Sequence, residues 1–372
     1  MEGSNVVMEG SVAPQVLVTD EDTNGDKQNL QHFIIWRDRR TDSNVELPQL
    51  EHVEMENLDG NADLVFVKFM KAHNCYDLIP TSAKLLIFDT ELGVKKALLA
   101  LVWNSLRAAP LWDGKLKKFV GMLTITDFIK ILHKYYKNSK DHIHELERHK
   151  ISTWKEELDN QNKPLITIHP EASLYEAIHF LYQHKIHRLP VVDYQSGNIL
   201  YILTHKRILR FLYLYVYDLP QPNFMEKSIG ELGVGTYKDI ITVTHETTLI
   251  TAITLFVDHR ISALPVVDSS GSIIDLYAKF DVFNLAIDKS YDDLNQTIGH
   301  SLKERRERIE AVSTCLVTES LSVVMERIVR AEVHRLVVVN ASNQVVGVIS
   351  LSDILHFISS EESILSQRRS ST

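Results

Sequence analysis

The sequence predicts an α/β protein made of four diverged copies of one repeat, each running strand, helix, strand, turn, strand, helix. Three observations carry this. A short anchor motif recurs at nearly constant spacing. Small residues recur at one distance before each anchor, and a helix start recurs at one distance after it.

The anchors are Arg107-Ala-Ala-Pro-Leu-Trp-Asp113, His187-Arg-Leu-Pro-Val-Val-Asp193, Ser262-Ala-Leu-Pro-Val-Val-Asp268 and His334-Arg-Leu-Val-Val-Val-Asn340. With Pro110, Pro190, Pro265 and Val337 aligned, they lie 80, 75 and 72 residues apart. Gly93, Ser173, Thr248 and Ser320 stand seventeen positions upstream of each anchor, and the last three are good helix N-caps. Ala97, Ala177, Ala252 and Val324 follow on an apolar helical face, as in Leu174, Ala177, Ile178 and Leu181. Each anchor opens a β-branched run. A turn such as Gln195-Ser-Gly-Asn198 or Ser269-Ser-Gly271 comes next, then a second apolar run, then the last helix. These landmarks place a leader at 1–60 and repeats at 80–140, 161–223, 234–296 and 308–365. Asp218-Leu-Pro-Gln-Pro-Asn-Phe224 separates repeats one and two from three and four, which implies two paired modules. The charged stretch from Lys134 to Asn162 links repeats one and two, with Trp154 and Leu158 as packing anchors. Its His142, His144 and His149 read as a solvated face, because no second cluster completes a coordination sphere.

With 372 residues and 44% hydrophobic content, the chain has material for a sizeable core. Net charge is −9, and residues 1–60 account for it with 13 acidic and 4 basic side chains. The leader therefore reads as mostly disordered, with Phe33-Ile34-Ile35-Trp36 as a short docking segment. The balanced remainder offers no bulk basic surface for nucleic acid. Neither a secretory pattern nor an apolar run of the roughly 20 residues that cross a bilayer is present, so a soluble cytoplasmic protein is expected, with the nucleus as a second location. Cys75 and Cys315 have neither disulfide-framework nor metal-ligand spacing and read as free thiols.

The last helix of each repeat begins at Thr124-Ile-Thr-Asp127, Thr204-His-Lys-Arg207, Ala278-Lys-Phe-Asp281 and Ser350-Leu-Ser-Asp353. One Asp at a helix start is an ordinary cap, but three at one repeat position mean more. A carboxylate accepts two hydrogen bonds from neighbouring hydroxyls, as a ribose diol offers. Phosphate needs cations. These stand at the anchors as Arg107, His187-Arg188 and His334-Arg335, with Lys206 at a helix start and Arg260 and Arg305 nearby. A ribose-reading Asp, a phosphate-reading Arg or His and an apolar slot between them make a nucleotide pocket in kind.

The quoted motifs, over about residues 61–360, resemble a fourfold cystathionine β-synthase (CBS) repeat of the kind found in the γ subunits of AMP-activated protein kinase. The resemblance implies a disc of two paired (Bateman) CBS modules, phosphates meeting in a central channel, and AMP, ADP and ATP competing for the sites. It also implies a heterotrimer with a catalytic α kinase subunit and a scaffold β subunit. In repeat one, the resemblance assigns nucleotide contact to Arg107, Met122, Leu123, Thr124, Ile125, Thr126 and Asp127. In repeat two it assigns Ile166, His187, Arg188 and Lys206. Thr236, Ile241, Ile261, Ser262, Ala278, Lys279, Phe280 and Asp281 follow in repeat three. Arg305, Ser313, His334, Arg335, Ser350, Leu351, Ser352 and Asp353 complete the set in and before repeat four. The family also resembles a kinase pseudosubstrate around Leu174 to Gln195, although that stretch reads equally as an ordinary repeat helix and strand.

No catalytic residue is expected. The four repeats leave no room for a catalytic barrel, a P-loop or a nucleophile set. The bland alternative is an interaction scaffold whose Asp and Arg positions are only caps and surface charges. One further expectation concerns Lys84-Leu-Leu-Ile-Phe88, a strand ahead of the first anchor whose edge would add to a partner's sheet.

Overall fold

The computed structural model describes residues 62–81, 84–138, 149–158, 164–284, 294–304 and 312–364, together with the backbone of 33–37. Strand β1 is Phe33–Arg37. Repeat one holds β2 (Lys84–Asp89), a helix over Val94–Trp103, β3 (Ala108–Asp113), β4 (Lys118–Thr124) and a helix over Ile125–Asn138. Repeat two runs through a helix over Leu174–Gln183, β5 (Arg188–Asp193), β6 (Asn198–Thr204) and a helix over His205–Tyr215. Repeat three has a helix over Leu249–Asp258, β7 (Ala263–Val267), β8 (Ile273–Ala278) and a helix over Lys279–Asn284. Repeat four has β9 (Thr314–Leu316), a helix over Leu321–Arg330, β10 (Arg335–Val339), β11 (Val345–Ser350) and a helix over Leu351–Ser359.

The anchor of every repeat is the first strand of an antiparallel hairpin, and the strand before the first helix runs parallel to it. That strand is complete in repeats one and four, where β2 pairs β3 and β9 pairs β10. In repeats two and three it shrinks to single parallel bridges, Ile168 to Val191 and Val243 to Val266. All four hairpins shift register one residue after the aligned anchor position, after Leu111, Val191, Val266 and Val338. An irregularity kept in four copies belongs to the design of the unit.

Local chemistry sets the helix ends. Ser173, Thr248 and Ser320 each accept a hydrogen bond from the backbone N–H three residues on, while Gly93 caps without a side chain. Five positions before each anchor the chain turns left-handed, at Ser105, Lys185, Arg260 and Glu332, with φ of 51–55°. That conformation ends the helix and aims the chain into the anchor strand.

Four apolar clusters close the molecule into a ring. Facing sheets join repeats one and two through Leu85, Ile87, Val192 and Ile199, and repeats three and four through Ile273, Leu276, Val337 and Val339. The two larger clusters are built mainly from helices. One joins repeat one to repeat three through Ile129, Leu132, Ile253 and Phe256, and the other joins two to four through Ile178, Leu209, Ile354 and Ile358. Chain neighbours thus pair by their sheets into modules, and the modules meet by their helices.

Trp154 is 1% exposed within the one–three cluster, the packing role its sequence suggests. The Leu158 side chain, His142 and His144 lie outside the described residues. The expectation of an open strand edge at Lys84–Phe88 is corrected. Strand β1 pairs antiparallel along all of it, from Phe33 opposite Phe88 to Arg37 opposite Lys84, so the leader's own apolar segment occupies that edge. Among the described residues, no helix is long and apolar enough to cross a membrane. Both thiols are buried, and burial pushes each up to about 12.

Candidate functional site

The fold places the sequence-predicted residues in two recurrent positions. Arg107, His187-Arg188, Ile261-Ser262 and His334-Arg335 sit where each anchor strand begins. Met122 to Asp127, Lys206, Ala278 to Asp281 and Ser350 to Asp353 sit where the hairpin's second strand runs into the last helix. The two positions are adjacent because the hairpin pairs them: Arg188 lies opposite Thr204, and Arg335 opposite Ser350. Ile166 and Ile241 each precede a bridging residue, Ile168 and Val243, by two positions. Thr236 bridges to Val348 of β11, and the Ser313 carbonyl accepts from the Val337 N–H at 3.0 Å. Arg305 lies outside the described residues.

The three carboxylates are caps. Oδ2 of Asp127 accepts from the Thr124 N–H at 2.8 Å and from its hydroxyl at 2.7 Å. Asp353 repeats this with Ser350 at 2.8 and 2.7 Å, and Asp281 accepts from the Ala278 N–H at 2.7 Å. In each case the cap engages Oδ2, so the carboxylate is held in one orientation at a helix start. Asp353 also borders a cavity of about 300 Å³ shared with Tyr182, Gly235 and His356. Repeat two has no such carboxylate. Arg207 instead turns its Nε to the Leu78 carbonyl at 3.2 Å.

The cations converge from all four repeats. His187 senses the charges of Arg188, Arg335 and Lys279, and Arg188 senses Arg107. Desolvation and this crowding push His187 down to about 4, although its residue keeps contact with solvent. Arg188 is pushed down to about 10, by burial first and then by Arg107. Lys279 falls to about 8 through burial, Lys130 and Arg335, against the pull of Asp127. Lys279 also reaches across the one–three contact to the Thr126 hydroxyl at 3.5 Å, and Arg107 lies over the Phe280 ring at 5.3 Å. Like charges gathered in this way disfavour one another, and a polyanion placed among them relieves the cost.

Of the residues assigned to contact, Leu123, Ile125, Ala278, Phe280 and Leu351 are buried. They shape the site from the core side and offer a ligand mainly their backbone. Two residues escaped the sequence reading. His205 is 8% exposed, packs edge-on against His187 with ring centroids 5.6 Å apart, and is pushed down to about 3 by burial, His187 and Arg188. Its signal was present, one position before Lys206 in the helix-start motif. Glu332 carries no motif at all, yet it receives the Lys206 ammonium on its carbonyl at 2.8 Å and on its carboxylate at 3.2 Å. Among the described residues no group of three His, Cys, Asp or Glu could hold a metal ion.

The CBS domain profile matches residues 156–214, 230–287 and 309–360, which fall on repeats two, three and four. The γ-3 subunit of 5'-AMP-activated protein kinase from Homo sapiens is 50% identical over 292 residues, covering 78% of this chain and 60% of that protein. The γ-3 subunit from Sus scrofa is likewise 50% identical over 292 residues, covering 57% of its length. This chain thus spans about three fifths of the curated relatives it matches. Among solved structures, a Methanocaldococcus jannaschii protein described in terms of the γ subunit of the same kinase superposes with a TM-score of 0.61. The match has 17% identity and covers 77% of this chain and 99% of that one. The repeat that the sequence and the fold define is the CBS domain, and this is a CBS-domain protein. Within that class, the chain is similar to γ subunits of 5'-AMP-activated protein kinase over 78% of its own length.

Proposed function

We propose that the chain is a non-catalytic, adenine-nucleotide-sensing regulatory subunit of a Ser/Thr protein kinase. On this reading it works in the cytoplasm and nucleus, in a heterotrimer with a catalytic α subunit and a scaffold β subunit. Its relatives' names, which call them subunits of a protein kinase, support membership of a kinase complex. The supporting observation is the convergence of Arg107, Arg188, Lys279 and Arg335, one cation from each repeat, beside three oriented carboxylates. Asp127, Asp281 and Asp353 hold ribose hydroxyls, and the cations with His187, His334 and Lys206 hold phosphates. AMP, ADP and ATP share the ribose and base contacts and differ in phosphate charge and reach, so they compete, and the central cations decide between them. A nucleotide shifts the kinase only by its difference in affinity between two conformations, and no bond is broken.

The three aspartates' capping role favours a second reading, an interaction scaffold without nucleotide sensing. One experiment separates the two. The chain is purified with its kinase partner and titrated with AMP, ADP and ATP by calorimetry while kinase activity is followed. Competitive binding that changes kinase activity, without phosphate release by this chain alone, is the expected result. Assembly with the kinase but no nucleotide heat leaves only the scaffold.

A further inference from the structure

Among the described residues, Lys206 is an assigned phosphate ligand held by an acid of another repeat. Its ammonium donates to the Glu332 carbonyl at 2.8 Å and to Glu332 Oε2 at 3.2 Å, and Arg210, one helical turn on, reaches Oε1 at 3.1 Å. Both carboxylate oxygens are thereby engaged. The two cations belong to the last helix of repeat two, whereas Glu332 precedes the anchor strand of repeat four, so the clasp spans the contact between the modules.

The placement of Glu332 follows from the repeat. It is the left-handed residue that turns the helix into the anchor strand, and the other copies put Ser105, Lys185 and Arg260 there. Repeat four alone has an acid. Non-glycine residues adopt this conformation at some cost, and the side chain it presents is directed by the turn. Lys206 and Arg210 hold the Glu332 carboxyl below its ordinary range.

We propose that Glu332 is an internal competitor of nucleotide phosphate, a positioning residue that occupies Lys206 until a phosphate displaces it. This rests on the nucleotide-binding reading above. A phosphate group and the Glu332 carboxylate are both anions seeking the same ammonium donors, so one excludes the other. The competition selects for ligands with phosphate and is indifferent to the base and ribose. It also links occupancy to the two–four contact, because a nucleotide that takes Lys206 releases the clasp between modules.

The test is calorimetric titration of the full chain with adenosine, AMP and ATP at one ionic strength, in the unaltered protein, Glu332→Gln, Lys206→Gln and the double variant. Glu332→Asn is the second probe, since Asn tolerates the left-handed backbone. Removing the acid from a half-exposed pair is expected to tighten AMP or ATP about two- to five-fold, to leave adenosine unchanged, and to bring no gain once Lys206 is Gln. Nucleotide binding by the unaltered chain with no gain in either Glu332 variant, or with the same gain in the Lys206→Gln background, overturns the competitor role alone. An unaltered chain that binds none of the three overturns both this role and the sensor reading.

Discussion

Arg207 stands where Asp127, Asp281 and Asp353 stand in the other copies, and its bond to the Leu78 carbonyl shows what the position does instead. A guanidinium cannot accept a ribose hydroxyl, so this repeat has exchanged a binding group for a tie to the segment before β2. Arg207→Ala is expected to remove no nucleotide from a calorimetric titration while lowering stability by about 1 kcal/mol in a denaturant melt. Asp281→Ala or Asp353→Ala should each remove one binding event, and ribose density against Arg207 in a nucleotide-soaked crystal would contradict the scheme. His205 makes a second prediction, in pH. Unfolded, its ring takes a proton near 6.5, but in the folded chain burial and the cations around it delay this to about 3. Between those values the unfolded chain binds the extra proton, so the stability that the neutral ring provides is full above about 6.5 and is lost as pH falls toward 3. The loss is on the order of 4 kcal/mol for so buried a ring, and His205→Gln should flatten that part of a stability-against-pH curve. His187, pushed down less and in contact with water, should contribute less to the same slope.

At the scale of single elements, β1 changes the account of the first sheet. Its five residues pair along the whole of β2, while β3 pairs only with Phe88 and Asp89 on the other side. Deleting Phe33–Arg37 should therefore speed hydrogen exchange at the amides of Leu85–Phe88, and unchanged exchange there would show that the pairing does not protect them. A partner strand that uses this edge must first displace β1. The sequence showed an apolar segment inside an acidic leader but not its docking place, because five residues of β pattern carry no record of which edge they meet. Caps were legible, since Ser173, Thr248 and Ser320 satisfy backbone donors through chemistry that only a few residue types possess. The helix ends were not. Ser105, Lys185, Arg260 and Glu332 take a left-handed turn without the glycine that announces one, and the clasp on Lys206 was hidden with them. The stretch Leu174–Gln195 proved legible as a repeat unit, with Leu174, Ala177, Ile178 and Leu181 buried in the helix and Arg188–Asp193 forming β5.

For the whole molecule, the order of contacts around the ring decides what can stand alone. Proline punctuation separates repeats one and two from three and four, and the facing sheets do pair neighbours in that way. The pairing of helices across modules was not legible, because four diverged copies present the same apolar face at the same spacing and periodicity does not label partners. That pairing forms the two larger cores. Val94, Leu101, Ile129 and Leu132 of repeat one pack with Leu249, Ile253 and Phe256 of repeat three, and Leu181, Ile208 and Leu212 of repeat two with Leu321, Ile328 and Leu355 of repeat four. A half-chain of residues 62–218 would keep its small sheet-to-sheet cluster and lose the partner of both helical faces. Exposed apolar faces of that extent are covered by association or lead to aggregation. The isolated half is therefore expected to elute as a dimer or larger species in size-exclusion chromatography with light scattering, the copy supplying the faces that repeats three and four supply in the full chain. Mixing it with the complementary half, residues 219–364, should convert it to a one-to-one complex. A half-chain that stays monomeric, soluble and cooperatively folded would mean that the helix-to-helix cores do not hold the ring together.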